Sequence, residues 1–474
     1  MIKIVIFLLL LNIYYQFDIN KKTLRVIVIE INPILSSITN KELYKNNNGH
    51  PYVSEYFSQN RERSVAEMVE DIEFASHGQL KVDIVKHSVL NEFPTYTTKI
   101  QLLNDKYDFR FNEETYISMS RIEGTDKGDW FKLINDPLFV EAFDFDYDYI
   151  IDKFDLVNLK EKNFFDHVWI FGVDPLHAYE TMMVGSNPYW INGSPLKKDC
   201  KNFMIAGFAL ARRDSALHAL GHAFENLISF GFVGTYNKDR EYNDNTVEDY
   251  NKLNYWDKFT LINKNSKKEN AGVGNVHFPF NGIKDYDYEN EDLVYSYWET
   301  WLNYPNINGK KTLSNNKAWM ELPANVQILN DPDENHDPDR LYVRFWMYLF
   351  PHIDGYTETG QLNNWWSYYS NLDYVTRIDS DNTAITGYVG KEVILGYNVY
   401  YCSGDIEKVS KAKKDKNVHI DGNCVEFNSN NQLIGAKKGT CSISIFRDGK
   451  DVTFEINILA ATSFNSRKFM SFED

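Results

Sequence analysis

The chain has 474 residues, enough for two or three domains with a sizeable buried core. Hydrophobic content of 43% and charged content of 25% are those of a globular protein, and aromatics are abundant at 31 Tyr, 31 Phe and 10 Trp. The net charge of −17 repels phosphate backbones and argues against nucleic acid as a partner. From Thr376 onward 13 Lys+Arg balance 13 Asp+Glu, so the preceding residues carry the whole acidic excess.

Residues 1–20, "MIKIVIFLLLLNIYYQFDIN", read as a signal peptide: Lys3 is the positive end, and Ile4 to Ile13 form an apolar run interrupted only by Asn12. That run is too short to cross about 30 Å of hydrocarbon comfortably. No A-x-A cleavage site follows, so an uncleaved anchor stays open. No other segment approaches a transmembrane span. A secreted chain, extracellular or held at the cell surface, is expected.

Residues 21–373 read as an α/β body with a mainly parallel sheet. "TLRVIVIEI" (Thr23 to Ile31) is a continuous β-branched run, the pattern of a strand buried on both faces. "SVAEMVEDIEFASHG" has helical spacing, with Ser64 as N-cap and Gly78 as stop, and "QLKVDIVKHS" follows as a strand. The three make a β-α-β unit, whose natural product is a parallel sheet. "YDYIIDKFDLVNLKEKN" predicts one helix, and "DHVWIFGV" and "NFMIAGFAL" predict buried strands. After "DHVWIFGV" come Asp174, His177 and Glu180, at the carboxyl end of a strand, where α/β sheets gather ligands. A polar loop entering a helix explains them equally well. The only glycosylation sequon is Asn192-Gly193-Ser194, weakened by Pro195.

The segment "DSALHALGHAFENLISFGF" (214–232) carries the chemistry. Asp214 or Ser215 caps a helix running to about Ser229. At about 100° per residue, positions i, i+4 and i+7 fall within about 60° of arc. His218, His222 and Glu225 therefore share a face, near enough to meet one ion. Leu217, Leu220, Phe224, Leu227 and Ile228 form an apolar stripe well away from it, which turns the histidines toward solvent or a covered cleft. The segment resembles the HExxH helix of zinc peptidases, with His218 and His222 at the two ligand positions. Ala219 stands where that helix has its catalytic glutamate, and Glu225 where one large branch has glycine. The resemblance implies zinc, whereas the missing glutamate argues against a standard peptidase and leaves Glu225 or Glu180 as a replacement base. A hydrogen-bonded surface pair and a non-metal catalytic role remain alternatives.

Further along, between about Gly234 and Asp339, long loops rich in Asn, Asp, Lys and Tyr are expected. In "GNVHFPFNGIKDYDYENED", His277 can complete a metal site, with Asp285 or Asp287 as alternatives. "DPDENHDPDR" (331–340) is dense in oxygen ligands for calcium but lacks the Gly and Glu of an EF-hand loop. "PDRLYVRFWMYLFPHI" is helical. In "NNWWSYY", Trp365 and Trp366 suit stacking on sugars or packing in a core.

Residues 376–460 change to short alternating runs separated by turn residues, which predicts a small β-sandwich. "NNQLIGAKKGTCSISIF" resembles the closing half of a group-2 bacterial immunoglobulin-like domain, which implies a spacer or adhesion module. Cys402, Cys424 and Cys441 depart from that family's cysteine-poor pattern; Cys402–Cys424 and Cys424–Cys441 pairings both remain open, and Cys200 lies far away. Residues 461–474 read as a loose tail. The strings "VWIFG", "GHAFEN", "HFPFNG…DYDY", "WLNYP" and "LNNWW" resemble a set of secreted proteins of unassigned function. The likeness spans most of residues 24–372 and implies one contiguous body but no reaction.

The leading expectation is a metal-dependent hydrolase acting on extracellular peptide or glycan. His218, His222, Glu225 and His277 would hold zinc, Glu225 or Glu180 would act as base, and His177, Trp365 and Trp366 would contact substrate. The alternative is a non-catalytic binding or adhesion protein with a cell-surface ligand. A third reading is a metal-independent glycosidase using Glu180 and Glu225 beside Trp365 and Trp366.

Overall fold

A computed structural model describes residues 22–35, 41–42, 55–94, 96–98, 143–172, 178, 180–209, 213–233, 250–266, 270–329, 337–357, 359–401, 406–414, 417–447 and 450–460. Residues 1–20 (read as a signal peptide), Asp174, His177, residues 331–336, Cys402 and residues 461–474 lie outside them. The described chain divides into two compact units, one running to Asp354 and including Asn363–Leu372, the other taking Gly355–Leu362 and the chain from Asp373.

The first unit is built on one six-stranded sheet. Its strands are β1 (Lys22–Ile31), β2 (Leu80–Leu90), β3 (His167–Gly172), β4 (Thr181–Gly185), β5 (Leu196–Lys197) and β6 (Phe203–Ala209). Their order is β2-β1-β3-β6-β4-β5. β2, β1, β3 and β6 run parallel, and β4 lies antiparallel to β6. β3 is buried throughout, and β1 is buried from Leu24 on except at Arg25, as strands covered on both faces must be. Arg25 instead reaches Asp166, with Nε 3.0 Å from Oδ2 and an N–H of its other arm 2.7 Å from Oδ1. β2 alternates buried and exposed positions at its start, as suits an edge.

Helix α1 (Glu55–Ala75) is longer than its sequence spacing predicts, because nothing in "EYFSQNRER" stops a helix, and Ser64 lies inside it rather than capping it. The chain leaves it through His77 and Gly78, at φ of 53° and 70°, with the Gly78 N–H donating to Glu73 O. The single helix expected over "YDYIIDKFDLVNLKEKN" is two, Tyr147–Lys153 and Leu156–Glu161, broken where Asp155 takes φ 55°. The polar loop expected around Glu180 runs directly into β4, the antiparallel strand that sequence periodicity does not reveal.

Helix α2 (Arg213–Val233) follows β6 and packs on it, on α3 (Pro338–Tyr348) and on α4 (Trp366–Ser370). Asp214 and Ser215 sit inside its first turn rather than before it. The described positions from Ala216 to Ser229 are buried except His222, so the helix is central and not amphipathic in the surface sense. Asp337 caps α3, its side chain accepting from the Asp339 N–H at 2.9 Å, with Pro338 at the first helical position.

The aromatic excess fills this unit's core. Trp169, Trp256, Trp319, Trp346, Trp365 and Trp366 are each under 2% exposed. Trp365 meets Phe259 at 5.1 Å and Trp256 at 5.6 Å between ring centroids, and Trp366 meets Phe224 at 4.9 Å. Trp365 and Trp366 therefore have no face to offer a sugar, which corrects their assignment as substrate contacts. Composition cannot separate the two uses, because the same rings serve both.

His167, at the start of β3, is buried between strands, its Nε2 donating to Tyr369 O at 3.1 Å. Burial drives its pKa from the ordinary 6.5 down to about 3. The folded state holds it neutral while the unfolded chain protonates near pH 6.5, so its contribution to stability is full above that pH and falls as the pH drops toward 3. At about 1.4 kcal/mol per pH unit, acidification from pH 6.5 to 5 costs about 2 kcal/mol through this one group. Urea unfolding in chelator at pH 7 and pH 5 should show that loss, and His167→Gln, which keeps the donor to Tyr369, should remove it. An equal pH dependence in the two proteins would contradict the assignment.

Among the described residues the second unit is all β, with Val425–Phe427 paired to Leu433–Gly435 in a hairpin separate from its two larger sheets. The strands of those sheets are β7 (Val375–Asp379), β8 (Ala384–Tyr388), β9 (Tyr397–Tyr401), β10 (Ile406–Val409), β11 (Val418–Asp421), β12 (Gly439–Arg447) and β13 (Lys450–Leu459). They form a three-stranded antiparallel sheet, β7-β9-β10, and a four-stranded sheet, β8-β13-β12-β11, in which β8 and β13 run parallel. Both sheets bury side chains in one core: Ile378 and Val399 from the first, Ile443, Phe454 and Ile456 from the second. Cys424 and Cys441 are joined by a disulfide with Cα atoms 5.7 Å apart, one of the two pairings left open by the sequence. Cys200 is a buried free thiol whose pKa burial pushes up to about 11, an inert structural cysteine.

Candidate metal centre

Two turns of α2 and one loop bring three imidazoles together. His218 and His222 project from successive turns of the helix that begins just past the carboxyl end of β6. His277 comes from the loop Gly274–Pro279. Its Asn275 side-chain oxygen accepts from the N–H groups of His277 and Phe278 at 3.0 Å each, an Asx turn that fixes the His277 backbone. Gly274 takes φ 108°, and a Cβ there would stand 2.3 Å from Phe278 O, so only glycine closes this turn. Trp346 Nε1 donates to Gly274 O at 2.8 Å, and Tyr342 Oη donates to Phe278 O at 3.1 Å, tying the loop to α3. Gly221 of α2 lets the loop approach, since a Cβ there would lie 2.7 Å from Val276 Cγ2.

The Nε2 atoms converge. His222 Nε2 is 3.1 Å from His218 Nε2 and 3.1 Å from His277 Nε2. All three donor atoms lie within 4.8 Å of one another, His218 buried and the other two half-buried.

Carboxylates back the opposite side of each ring. Asp339 Oδ2 is 3.0 Å from His218 Nδ1, Glu225 Oε2 is 3.1 Å from His222 Nδ1, and exposed Asp285 Oδ1 is 3.7 Å from His277 Nδ1. An Nδ1–H donated to a carboxylate leaves Nε2 with its lone pair, so the inward atoms of His218 and His222 are bases rather than donors. A protonated His222 could offer only one hydrogen to its two Nε2 neighbours. At least one close nitrogen pair thus lacks a hydrogen bond that would explain it, while a shared cation accounts for both.

Glu225 is 1% exposed and fully engaged: Oε2 on His222 and Oε1 accepting from the Val276 N–H at 2.9 Å. It orients one histidine and docks the loop bearing another. This corrects its reading as a third ligand or base, because both oxygens point away from the convergent nitrogens. The helical arc of His218, His222 and Glu225 holds, yet at i+3 from His222 the carboxylate reaches back to Nδ1. Burial alone would lower the His222 pKa; the Glu225 hydrogen bond and charge, with Glu180 and Asp339 beyond, raise it instead. Burial alone would raise Glu225, and His222 with the Val276 N–H lowers it. Burial and the His222 charge lower His277.

Glu180 stands just before β4, near enough for its charge to act on His222, and its Oε2 accepts from Asn192 Nδ2. That contact occupies the nitrogen of the lone glycosylation sequon. Asp339 belongs to the stretch read for calcium, but its carboxylate is turned to His218 and that of Asp337 caps α3. Asp287 accepts from Ile283 N and Asn290 Nδ2, a loop-bracing role.

Two participants were not singled out by sequence: Asp339 and Tyr286, whose hydroxyl lies 3.2 Å from His277 Nε2. Both approach the histidines only through folding.

No family model matches the chain, and no curated protein matches it. A solved chain described as a "putative surface protein" is similar at 17% identity and TM-score 0.13, over 22% of this chain and 97% of that one. Among the described residues no helix is long and apolar enough to cross a membrane.

Proposed function

We propose that the protein is a secreted zinc-dependent hydrolase acting on extracellular peptide or glycan, with His218, His222 and His277 as the zinc ligands. The observation that carries this reading is His222 Nε2 standing 3.1 Å from the Nε2 atoms of both His218 and His277, with carboxylates bound to the far side of the His218 and His222 rings. Donors about 2.0–2.1 Å from a tetrahedral zinc stand roughly 3.3 Å apart, and the two nitrogen–nitrogen contacts made by His222, 3.1 Å each, match that edge within a few tenths of an ångström. Three protein nitrogens, with the fourth position left to an exchangeable ligand, are the pattern of catalytic rather than structural zinc. The ion would supply a Lewis acid that lowers the pKa of a coordinated water to about 7.

This chain's own residues do the rest. Asp339 and Glu225 hold His218 and His222 in the tautomer that presents Nε2. Glu180 is the carboxylate we assign as general base in place of the one missing at Ala219. Carboxylates on three sides, with the acidic body, favour a neutral or cationic substrate over a phosphate ester. We assign the second unit as the immunoglobulin-like spacer that its "NNQLIGAKKGTCSISIF" segment resembles, with the protein held at or near a cell surface.

A metal-independent glycosidase is the weaker reading, because Trp365 and Trp366 have no exposed surface and Glu225 is committed to His222 and Val276. A purely adhesive reading accounts for the second unit but assigns no role to the gathering of His218, His222 and His277. Protein purified without chelator should contain one zinc per chain, and the His218→Ala/His222→Ala double variant none. A metal-free wild type overturns the proposal.

A further inference from the structure

Tyr286 approaches the donor cluster as closely as the histidines approach one another. Its hydroxyl lies 3.2 Å from His277 Nε2, against 3.1 Å for each of the two nitrogen–nitrogen contacts. Its ring stacks on His218 at 5.6 Å and 24°, and lies 4.7 Å from that of His277. The backbone holds it there. The Tyr286 N–H donates to His277 O at 2.8 Å, and Tyr286 adopts φ 58°, a left-handed conformation that a bulky side chain rarely takes and that costs on the order of 1 kcal/mol or more. Asp287 Oδ2 braces the next turn by accepting from Ile283 N at 3.1 Å and Asn290 Nδ2 at 2.8 Å. A surface tyrosine held in an unfavourable backbone state with its hydroxyl turned to His277 Nε2 is not explained by core packing, since Tyr286 is 55% exposed.

Building on the three-histidine zinc reading, we propose that the Tyr286 phenolic oxygen is the fourth ligand of the resting centre, and that substrate or water must displace it. The phenol would bind as phenolate, releasing its proton to solvent, and would take a proton back on displacement. Being on an exposed loop, the ring can swing out without opening the core. The arrangement makes the centre closed at rest and open when the loop moves, so that occupancy by substrate is coupled to the loop around Tyr286.

Copper(II) tests this without a known substrate, because it binds nitrogen and oxygen sites more tightly than zinc and reports phenolate ligation through a ligand-to-metal charge-transfer band in the visible. Metal-free full-length protein titrated with copper(II) should take one ion and show that band. The Tyr286→Phe variant should still take one ion and lose the band entirely. A wild type that holds one copper without the band, or a Tyr286→Phe variant that keeps it, overturns the role of Tyr286 and leaves the three histidines standing. A wild type that takes no copper at this site, judged against His218→Ala/His222→Ala, overturns the histidine centre and this inference together.

Discussion

Glu225→Gln should weaken zinc binding by at least about 10–100-fold while leaving the fold intact. The reason is a forced tautomer. In the wild type both carboxylate oxygens accept, Oε1 from the Val276 N–H and Oε2 from His222 Nδ1–H. A glutamine has one accepting oxygen and one donating amide. Turning the amide toward Val276 would set two donors against each other in a buried site, so the oxygen must stay there and the amide must face His222. Nδ1 then becomes an acceptor, and the ring proton moves to Nε2, where it blocks the lone pair that a metal needs. Because the substitution is nearly isosteric and keeps the Val276 bond, thermal unfolding of the metal-free protein should change little. Competition against a chelator of known zinc affinity reads the binding loss directly. Unchanged affinity in a folded Glu225→Gln protein would mean that His222 does not present Nε2 to an ion.

The contrast between Glu225 and Asp339 shows how far the sequence reaches into this site. Periodicity placed His218, His222 and Glu225 on one arc of α2, and the arc is real because it follows from 100° per residue alone. What periodicity cannot give is the side on which a carboxylate ends up. That depended on Val276, 51 residues away, offering an N–H to Glu225. His277 could be named because a histidine amid small and aromatic residues is a recognisable donor. Asp339 could not be told from its acidic neighbours, since only the capped start of α3 turns it toward His218. The same limit applies to the fold. β1, β3 and β6 announce themselves as apolar runs, because strands covered on both faces must be apolar throughout. β4 lies antiparallel at the far side of β6, and nothing in "TMMVG" states its direction. Trp365 and Trp366 were ambiguous for a chemical reason: an indole face that packs on Phe259 or Phe224 would pack equally well on a sugar.

Asp71→Ala should be among the most damaging single changes in the first unit, at about 3–5 kcal/mol. Asp71 on α1 is 2% exposed and serves two arginines of α3, with Oδ2 3.0 Å from Arg340 Nε and Oδ1 3.3 Å from Arg344 Nε. Arg340 and Arg344 are 6% and 3% exposed, and the Arg344 guanidinium lies 4.2 Å above the Phe74 ring centroid. Burial lowers the Arg344 pKa even with Asp71 beside it. Removing the carboxylate would leave two buried cations to repel each other without this counter-charge, which costs far more than the ion pair contributes when intact. The triple change Asp71→Leu, Arg340→Met and Arg344→Met should therefore recover most of the loss, since the desolvation penalty disappears with the charges. The arginines also sit one and five residues beyond Asp339 on α3, so the triad sets where that carboxylate meets His218. Zinc affinity should accordingly fall in Asp71→Ala even at temperatures where the protein stays folded. An Asp71→Ala protein as stable as the wild type to within about 1 kcal/mol would mean that α1 and α3 are held together by apolar packing alone.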